Sequence, residues 1–228
     1  MKYEIIGNTM PAVEVTFERA GEAMYTQSGG MAWMSEGVSM DTNTKGGVLK
    51  GIGRMFAGES MFMATYTSRA PGTSIAFSAT FPGEIMPVKV EETGGLICQK
   101  GAFLAAEDSV KLETLLTKKL SSGFFGGEGV ILQGLSGRGT AFLEIDGNKV
   151  VKTLGTGETI YVDTGNVVAF QSSMKYEIEM VKGLKNIFLG GEGLFLTKLT
   201  GPGQVIIQTQ NIGEFAGRIA KMIPTSSN

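Results

Sequence analysis

Residues 127–135 read Gly-Glu-Gly-Val-Ile-Leu-Gln-Gly-Leu and are followed by Ser-Gly-Arg-Gly at residues 136–139. The same order of glycine, acid and apolar residues returns at residues 191–203, which read Gly-Glu-Gly-Leu-Phe-Leu-Thr-Lys-Leu-Thr-Gly-Pro-Gly. A less regular copy begins at residues 58–66 with Gly-Glu-Ser-Met-Phe-Met-Ala-Thr-Tyr. A strand framed by turn glycines and used three times predicts a repeated β unit.

A second glycine turn lies upstream of each copy, at a distance that is nearly constant among the three units. Gly101 stands as far before Gly127 as Gly165 stands before Gly191, and the first unit has a slightly longer interval. Alternating apolar and polar residues between these signals predict β-strands throughout. The predicted organisation is three β repeat units at residues 1–90, 91–154 and 155–210, a C-terminal helix at 211–223 and a disordered tail at 224–228.

The central strands of the repeats are apolar on both faces. Residues 130–132 are Val-Ile-Leu, and residues 194–196 are Leu-Phe-Leu. Successive side chains of a strand point to opposite faces, so both faces of these strands need cover. Because burying one Leu or Phe side chain contributes about 1.5–3 kcal/mol, we expect a sandwich or barrel, or a face that meets another subunit.

Two local signals complete the chain. Residues 146–148, Asp-Gly-Asn, predict a tight hairpin turn. Asn211 can cap a helix in which apolar residues recur on one stripe, and we expect that stripe to cover an edge or an open end of the β body. The stripe consists of Ile212, Phe215, Ile219 and Met222.

The composition favours a cytoplasmic protein. The chain has 228 residues and a net charge of −2, and no apolar run approaches the ~20 residues of a membrane helix. No secretion signal is visible at its beginning. Cys98 is the single cysteine, so no internal disulfide can form and a reducing compartment is favoured. We predict no membrane span and a buried, unreactive Cys98 thiol.

The sequence contains no histidine. This excludes the Ser-His-Asp and Cys-His activation of a nucleophile and removes the commonest transition-metal ligand. No glycine loop continues into the Gly-Lys-Ser/Thr of a phosphate-binding loop. No basic run is present to neutralise nucleic-acid phosphates. We therefore predict a protein that is not an enzyme and has no catalytic residue, metal or cofactor, and nucleic-acid binding is disfavoured.

Glu59, Glu128 and Glu192 stand at equivalent positions of the three copies. One interpretation makes them ligand-binding residues that line a shared opening or coordinate a cation. The other is structural: an acid at a strand start accepts turn N–H bonds or pairs with a base. Methionines concentrate between Met24 and Met86, where they either fill the core or form a surface for partners.

Several short segments together resemble one family, the altered-inheritance-of-mitochondria protein 24 family. The segments are 10–15 (Met-Pro-Ala-Val-Glu-Val), 101–105 (Gly-Ala-Phe-Leu-Ala), 126–129 (Gly-Gly-Glu-Gly), 190–195 (Gly-Gly-Glu-Gly-Leu-Phe) and 201–205 (Gly-Pro-Gly-Gln-Val). The resemblance implies a fold like the tryptophan RNA-binding attenuation protein, with three β-sandwich units of double-stranded β-helix type. It also implies a closed homo-oligomer, with a trimer favoured. Eukaryotic members are linked to mitochondrial organisation, and the family offers no catalytic residues to transfer.

Two functional hypotheses follow. The leading one is a non-enzymatic oligomeric β scaffold or partner-binding protein, because the central strands are apolar on both faces and no catalytic constellation is present. The alternative is a ring that binds a small molecule or a cation through the three equivalent glutamates. Nucleic-acid binding rests on fold analogy alone, and the acidic charge balance argues against it.

Overall fold

The computed structural model describes residues 1–27, 29–42, 63–118, 130–180, 195–220 and 222–223. These residues form β-strands and a short C-terminal α-helix, which confirms the predicted all-β class. In chain order the elements are β1 (Lys2–Ile6), β2 (Ala12–Thr16), β3 (Ala23–Gln27), β4 (Met31–Met34), β5 (Val38–Asp41), β6 (Met63–Ser68), β7 (Ser74–Ser78), β8 (Gly83–Lys89), β9 (Leu96–Gln99), β10 (Phe103–Glu107), β11 (Val110–Lys118), β12 (Val130–Gly137), β13 (Thr140–Asp146), β14 (Lys149–Leu154), β15 (Thr159–Asp163), β16 (Val167–Gln171), β17 (Lys175–Met180), β18 (Phe195–Thr200), β19 (Gly203–Gln208) and α1 (Ile212–Ala220).

The strands form four sheets. Sheet A has the order β1-β2-β7-β4, and sheet B has the order β5-β6-β3-β10-β13-β8. Sheet C has the order β11-β12-β9-β16-β19-β14, and sheet D has the order β15-β18-β17. The strand pairs β1·β2, β10·β13, β15·β18 and β3·β6 are antiparallel, as expected for strands joined by short turns.

The chain forms two compact units. The first contains Met1–Glu91, Phe103–Lys111 and Gly137–Glu144, and the second contains Glu92–Ala102, Leu112–Ser136 and Ile145–Asn228. The three sequence repeats remain a prediction, and their boundaries fall between β8 and β9 and between β14 and β15.

Sheets A and B share the core of the first unit. In β2, Val13 and Val15 are buried while Thr16 is exposed, which is the alternation of a strand with one apolar face. Tyr66 of sheet B meets Phe77 of sheet A edge to face, with ring centroids 6.0 Å apart. The buried residues of this core include Val13, Val15, Phe17, Met24, Ile75, Phe77, Leu104 and Phe142.

Sheets C and D share the core of the second unit. Phe170 of sheet C packs against Tyr176 of sheet D, with ring centroids 5.2 Å apart. The buried residues of this core are Ile97, Leu132, Leu154, Val162, Val167, Phe170, Met174, Leu199 and Val205. Each unit therefore buries apolar side chains between the faces of two sheets.

Three strand pairs have the same irregularity. In β4·β7, β10·β13 and β16·β19, one extra residue in the first strand shifts the register. Such a shift is a β-bulge. The shifts lie between Met31 and Trp33, between Phe103 and Ala105, and between Val167 and Ala169.

The same three pairs share a side-chain hydrogen bond. At or just after the end of the bulged strand, a side-chain oxygen accepts a hydrogen bond from a backbone N–H of the neighbouring strand. The donor is the first residue of β7 and of β13 and the second residue of β19. The three bonds join Ser74 N to Ser35 Oγ at 2.8 Å, Thr140 N to Glu107 Oε1 at 3.1 Å, and Gln204 N to Gln171 Oε1 at 2.8 Å. Different side chains thus satisfy the same backbone donor.

The central strands β12 and β18 differ in how completely their two faces are covered. In β12, the adjacent residues Leu132 and Gln133 are both buried, so both faces are covered, although Ile131 is half-buried. In β18, Phe195, Thr197 and Leu199 are buried while Leu196 on the other face is half-buried. The predicted cover of both faces therefore holds for β12 and is incomplete for β18 in the single chain.

Two local predictions have different outcomes. Asn211 caps α1 as predicted, because its Oδ1 accepts the N–H groups of Gly213 at 2.9 Å and Glu214 at 3.3 Å. The predicted hairpin at residues 146–148 is wrong. Gly147 makes the turn at φ +72°, but β13 belongs to sheet B while β14 pairs with β19 in sheet C. The turn therefore transfers the chain between sheets.

Gly137, the last residue of the central strand β12, gives a test of the fold. It has φ +97°, and an added Cβ would lie 2.6 Å from the Ser109 carbonyl oxygen. Gly72 has φ +82° with open space around it. Left-handed backbone costs a non-glycine residue about 1–2 kcal/mol, so Gly72→Ala should lose about that much. Gly137→Ala should lose more because of the added clash with the backbone.

The measurement is the free energy of unfolding of both variants from urea titrations. Equal losses in the two variants would show that the close approach to Ser109 has no energetic weight.

Candidate functional site at two open sheet edges

The three predicted ligand-binding residues, Glu59, Glu128 and Glu192, lie outside the described residues. The carboxylate ring therefore stays a prediction. Within the described ranges, no group of three or more His, Cys, Asp or Glu side chains is arranged to hold a metal ion. In the same part of the chain, no helix has the length and apolar character needed to cross a membrane.

Cys98 is buried in β9, as predicted. Burial disfavours the charged thiolate and raises the pKa of the thiol to about 12. A thiol in this environment is a poor nucleophile, because only the thiolate reacts. Cys98 therefore serves as a small apolar side chain of the sheet.

The outer edge of β4 carries two large apolar side chains. β4 is the last strand of sheet A, and among the described residues only β7 pairs with it. Trp33 is 44% exposed and Met34 is 40% exposed. The indole Nε1 of Trp33 donates to Glu14 Oε1 at 3.3 Å, so the ring is held against the sheet.

The outer edge of β15 presents a similar surface. β15 is the last strand of sheet D, and β18 is its one partner within the described ranges. Tyr161 is 54% exposed, while its neighbour Val162 points into the core of the second unit. An edge strand with unpaired backbone groups and apolar side chains is a template for further strand pairing.

We call these two surfaces, β4 with Trp33 and Met34 and β15 with Tyr161, the open edges. Sequence reasoning noticed the methionine concentration but did not place any of these residues at an edge. The core-filling interpretation holds for Met24, which is fully buried, and fails for Met34 and for Met40, which is 50% exposed.

The apolar stripe of α1 is also uncovered. No residue of the helix is buried, and Ile212, Phe215 and Ile219 are each exposed. The expectation that this stripe covers an edge of its own chain is therefore wrong. The helix is attached near its first turn, where Ile212 N donates to Asp146 Oδ2 at 2.9 Å and Gln210 N donates to the Asp146 carbonyl at 3.1 Å.

Asp146 is the buried acid that holds this helix start. Burial raises the pKa of its carboxyl, and the hydrogen bond from the Ile212 N–H partly opposes that rise. Sequence reasoning placed Asp146 in a turn and missed its role, since the helix that it contacts lies far along the chain.

Cys98 should not react with a thiol reagent in the native protein at mildly alkaline pH. Ellman's reagent should detect the thiol only at the rate at which the chain opens, and completely in denaturant. The matched control is Met40→Cys, which adds one exposed thiol outside the open edges and should react at once with one equivalent. Immediate reaction of the wild-type protein would contradict the buried position of Cys98.

Asp146→Asn tests the raised carboxyl pKa. The folded pKa lies above the unfolded one, so the protonated form contributes stability that is present below the unfolded pKa and lost as pH rises through the folded pKa. The amide still offers an oxygen to the Ile212 N–H but cannot ionise. The variant should match the wild-type melting temperature in acid and exceed it increasingly toward neutral pH.

Melting temperatures of both proteins across a pH series provide the measurement. A difference that stays constant with pH, or that shrinks toward neutrality, would contradict burial as the dominant cause.

Comparison with known proteins gives a consistent result. The chain is 32% identical over 226 residues to an uncharacterized protein of Streptococcus pyogenes serotype M6, and the match covers 96% of this chain and 89% of that protein. It also resembles the crystal structure of a Streptococcus pyogenes protein, with a TM-score of 0.81 and 30% identity over 97% of this chain and 99% of the other. The sequence model of the family described as Mitochondrial biogenesis AIM24 matches residues 3–210. The chain therefore belongs to the AIM24 family.

Proposed function

We propose that the protein is a non-enzymatic β scaffold that works as a homo-oligomer assembled through its open edges. The observation that carries this proposal is the exposure of Trp33, Met34 and Tyr161 on strands whose counterparts elsewhere in the chain are buried. A closed ring of three copies is the assembly that we favour, in the cytoplasm.

Strand order supports the proposal that the chain contains three repeats of one unit. The triplets β5-β6-β3, β11-β12-β9 and β17-β18-β15 have the same order and the same spacing in the chain. The triplets β4-β7-β2, β10-β13-β8 and β16-β19-β14 likewise correspond. The shared bulges and the shared hydrogen bonds to Ser35, Glu107 and Gln171 support the same correspondence.

Corresponding strands differ in whether they have an outer partner. β3 pairs with β10, and β9 pairs with β16, so each sheet runs from one repeat into the next. Within the described residues, β4 of the first repeat and β15 of the third repeat have no such partner, so they lie at the two ends of the series of repeats. The strands β5, β11 and β17 correspond to one another, and each of them lies at the edge of its sheet, so they do not differ in the number of their partners.

Burial follows this difference closely. Tyr25 in β3 is 2% exposed, whereas Tyr161 at the corresponding place in β15 is 54% exposed. Ala105 and Ala169 are completely buried, whereas Trp33 at the corresponding place in β4 is 44% exposed. Because burying a side chain of this size contributes about 1.5–3 kcal/mol, covering the open edges supplies a driving force for association.

The chemistry of the described residues supports a role other than catalysis. The chain has no histidine, and Cys98 is buried with a pKa far above neutrality. The exposed groups at the open edges are apolar, which suits assembly better than proton transfer.

Native mass spectrometry of the full chain, with size-exclusion chromatography and light scattering, tests the proposal. The wild type should form one defined oligomer at micromolar concentration, a trimer in the favoured case. Met34→Lys with Tyr161→Lys should weaken assembly by about tenfold or more, since each change removes apolar burial at the contact and places a charge there.

Met40→Lys is the matched control, because Met40 is as exposed as Met34 but lies on β5, which is an edge in every repeat. It should assemble like the wild type. A monomeric wild type, or equal weakening by Met40→Lys, would contradict the proposal.

A further inference from the structure

We infer that β15 of one copy pairs antiparallel with β4 of a second copy, in a register that sets Val162 opposite Trp33 and Tyr161 opposite Met34. This inference rests on the proposed function and specifies the contact through which the copies assemble. The occupant of each open edge is thus the opposite open edge of another copy.

The pairing has two examples inside the chain. β10 pairs antiparallel with β3, with Ala105 opposite Thr26 and Ala106 opposite Tyr25. β16 pairs antiparallel with β9 in the corresponding way. There, Ala169 lies opposite Cys98 and Phe170 lies opposite Ile97.

The bulges fix the position of β4 in this series. The residue just after the register shift is Trp33 in β4, Ala105 in β10 and Ala169 in β16. Each of these residues pairs with the corresponding residue of the neighbouring strand: Ala76, Phe142 and Ile206. Trp33 therefore corresponds to the residue that meets the preceding repeat.

A turn fixes the position of β15. A single 3-10 turn follows β9 directly at Lys100–Ala102, and one follows β15 directly at Thr164–Asn166. Gln99 and Asp163 are then corresponding last residues. Val162 therefore corresponds to Cys98, and Tyr161 corresponds to Ile97.

The contact between copies differs from the internal ones in side-chain size. Trp33 in β4 corresponds to Ala105 in β10 and to Ala169 in β16. Met34 and Tyr161, which would face each other, are both large and both exposed in the single chain. Covering them removes more apolar surface from water than an alanine contact does, which suits a contact that must hold separate chains together.

The two edges are different surfaces, so the contact is head-to-tail. Repeated head-to-tail contacts close into a ring or continue as a filament, whereas a two-fold dimer would join identical edges. This polarity distinguishes the inferred contact from self-association through a shared apolar patch.

Disulfide cross-linking tests the register. Directly opposite residues of an antiparallel pair have Cα atoms about 4.5–5.5 Å apart, which lies within the ~4.4–6.8 Å range of disulfides. A tagged Met34→Cys copy and an untagged Tyr161→Cys copy are co-expressed and oxidised mildly. The buried Cys98 is left in place because it is shielded from the reaction.

The expected result is a covalent species of one tagged and one untagged chain on non-reducing gels. Neither single variant should cross-link to itself. The matched control, Met40→Cys co-expressed with Tyr161→Cys, offers equally exposed thiols at positions that are not opposite and should give no cross-link.

The outcomes separate this inference from the proposed function. An intact oligomer in native mass spectrometry without the mixed cross-link, or with Met34→Cys linked to itself, overturns the register and leaves the scaffold standing. A monomeric wild type overturns both. In a Met34→Cys/Tyr161→Cys double variant oxidised in the same way, a cross-link formed within one chain, seen as a compact monomer on non-reducing gels, also overturns the inference.

Discussion

Backbone hydrogen bonding at strand edges is the constraint on which this structure depends. Every strand has two rows of N–H and C=O groups, and those turned away from water need a partner. β3 finds its second partner in β10, and β9 finds its second partner in β16. These pairings extend sheets across segments far apart in the chain, and each sheet pair then closes over an apolar core.

Turn and bulge positions maintain this arrangement while side chains vary. The backbone donors at Ser74, Thr140 and Gln204 are satisfied by a serine, a glutamate and a glutamine respectively. The requirement is a side-chain oxygen at a fixed place, because the bulge turns the strand out of its regular ladder there. A backbone constraint of this kind tolerates sequence change, so the three bulged strand pairs share one local geometry although the residues that accept the hydrogen bond differ.

Family membership and fold classify the protein, but they do not indicate a chemical activity. The AIM24 match and the Streptococcus pyogenes relatives agree with the all-β fold. The apolar open edges suit contact between copies, and Asp146 holds the start of a helix whose apolar stripe is uncovered. The open edges are thus the surfaces to which we assign assembly, while Asp146 and Cys98 are buried and have structural roles.

The sequence by itself determined the strands, their turn glycines, the Asn211 cap and the buried Cys98, because each depends on local spacing and on the chemistry of a few adjacent residues. It did not determine the partner of each strand. The hairpin expected at Gly147 is instead a crossing between sheets, since β14 pairs with β19, about fifty residues onward in the chain. Only the tertiary structure decided which edges remain open. Trp33 and Tyr161 resemble core residues in local pattern, and their exposure follows from strand pairing across the whole chain.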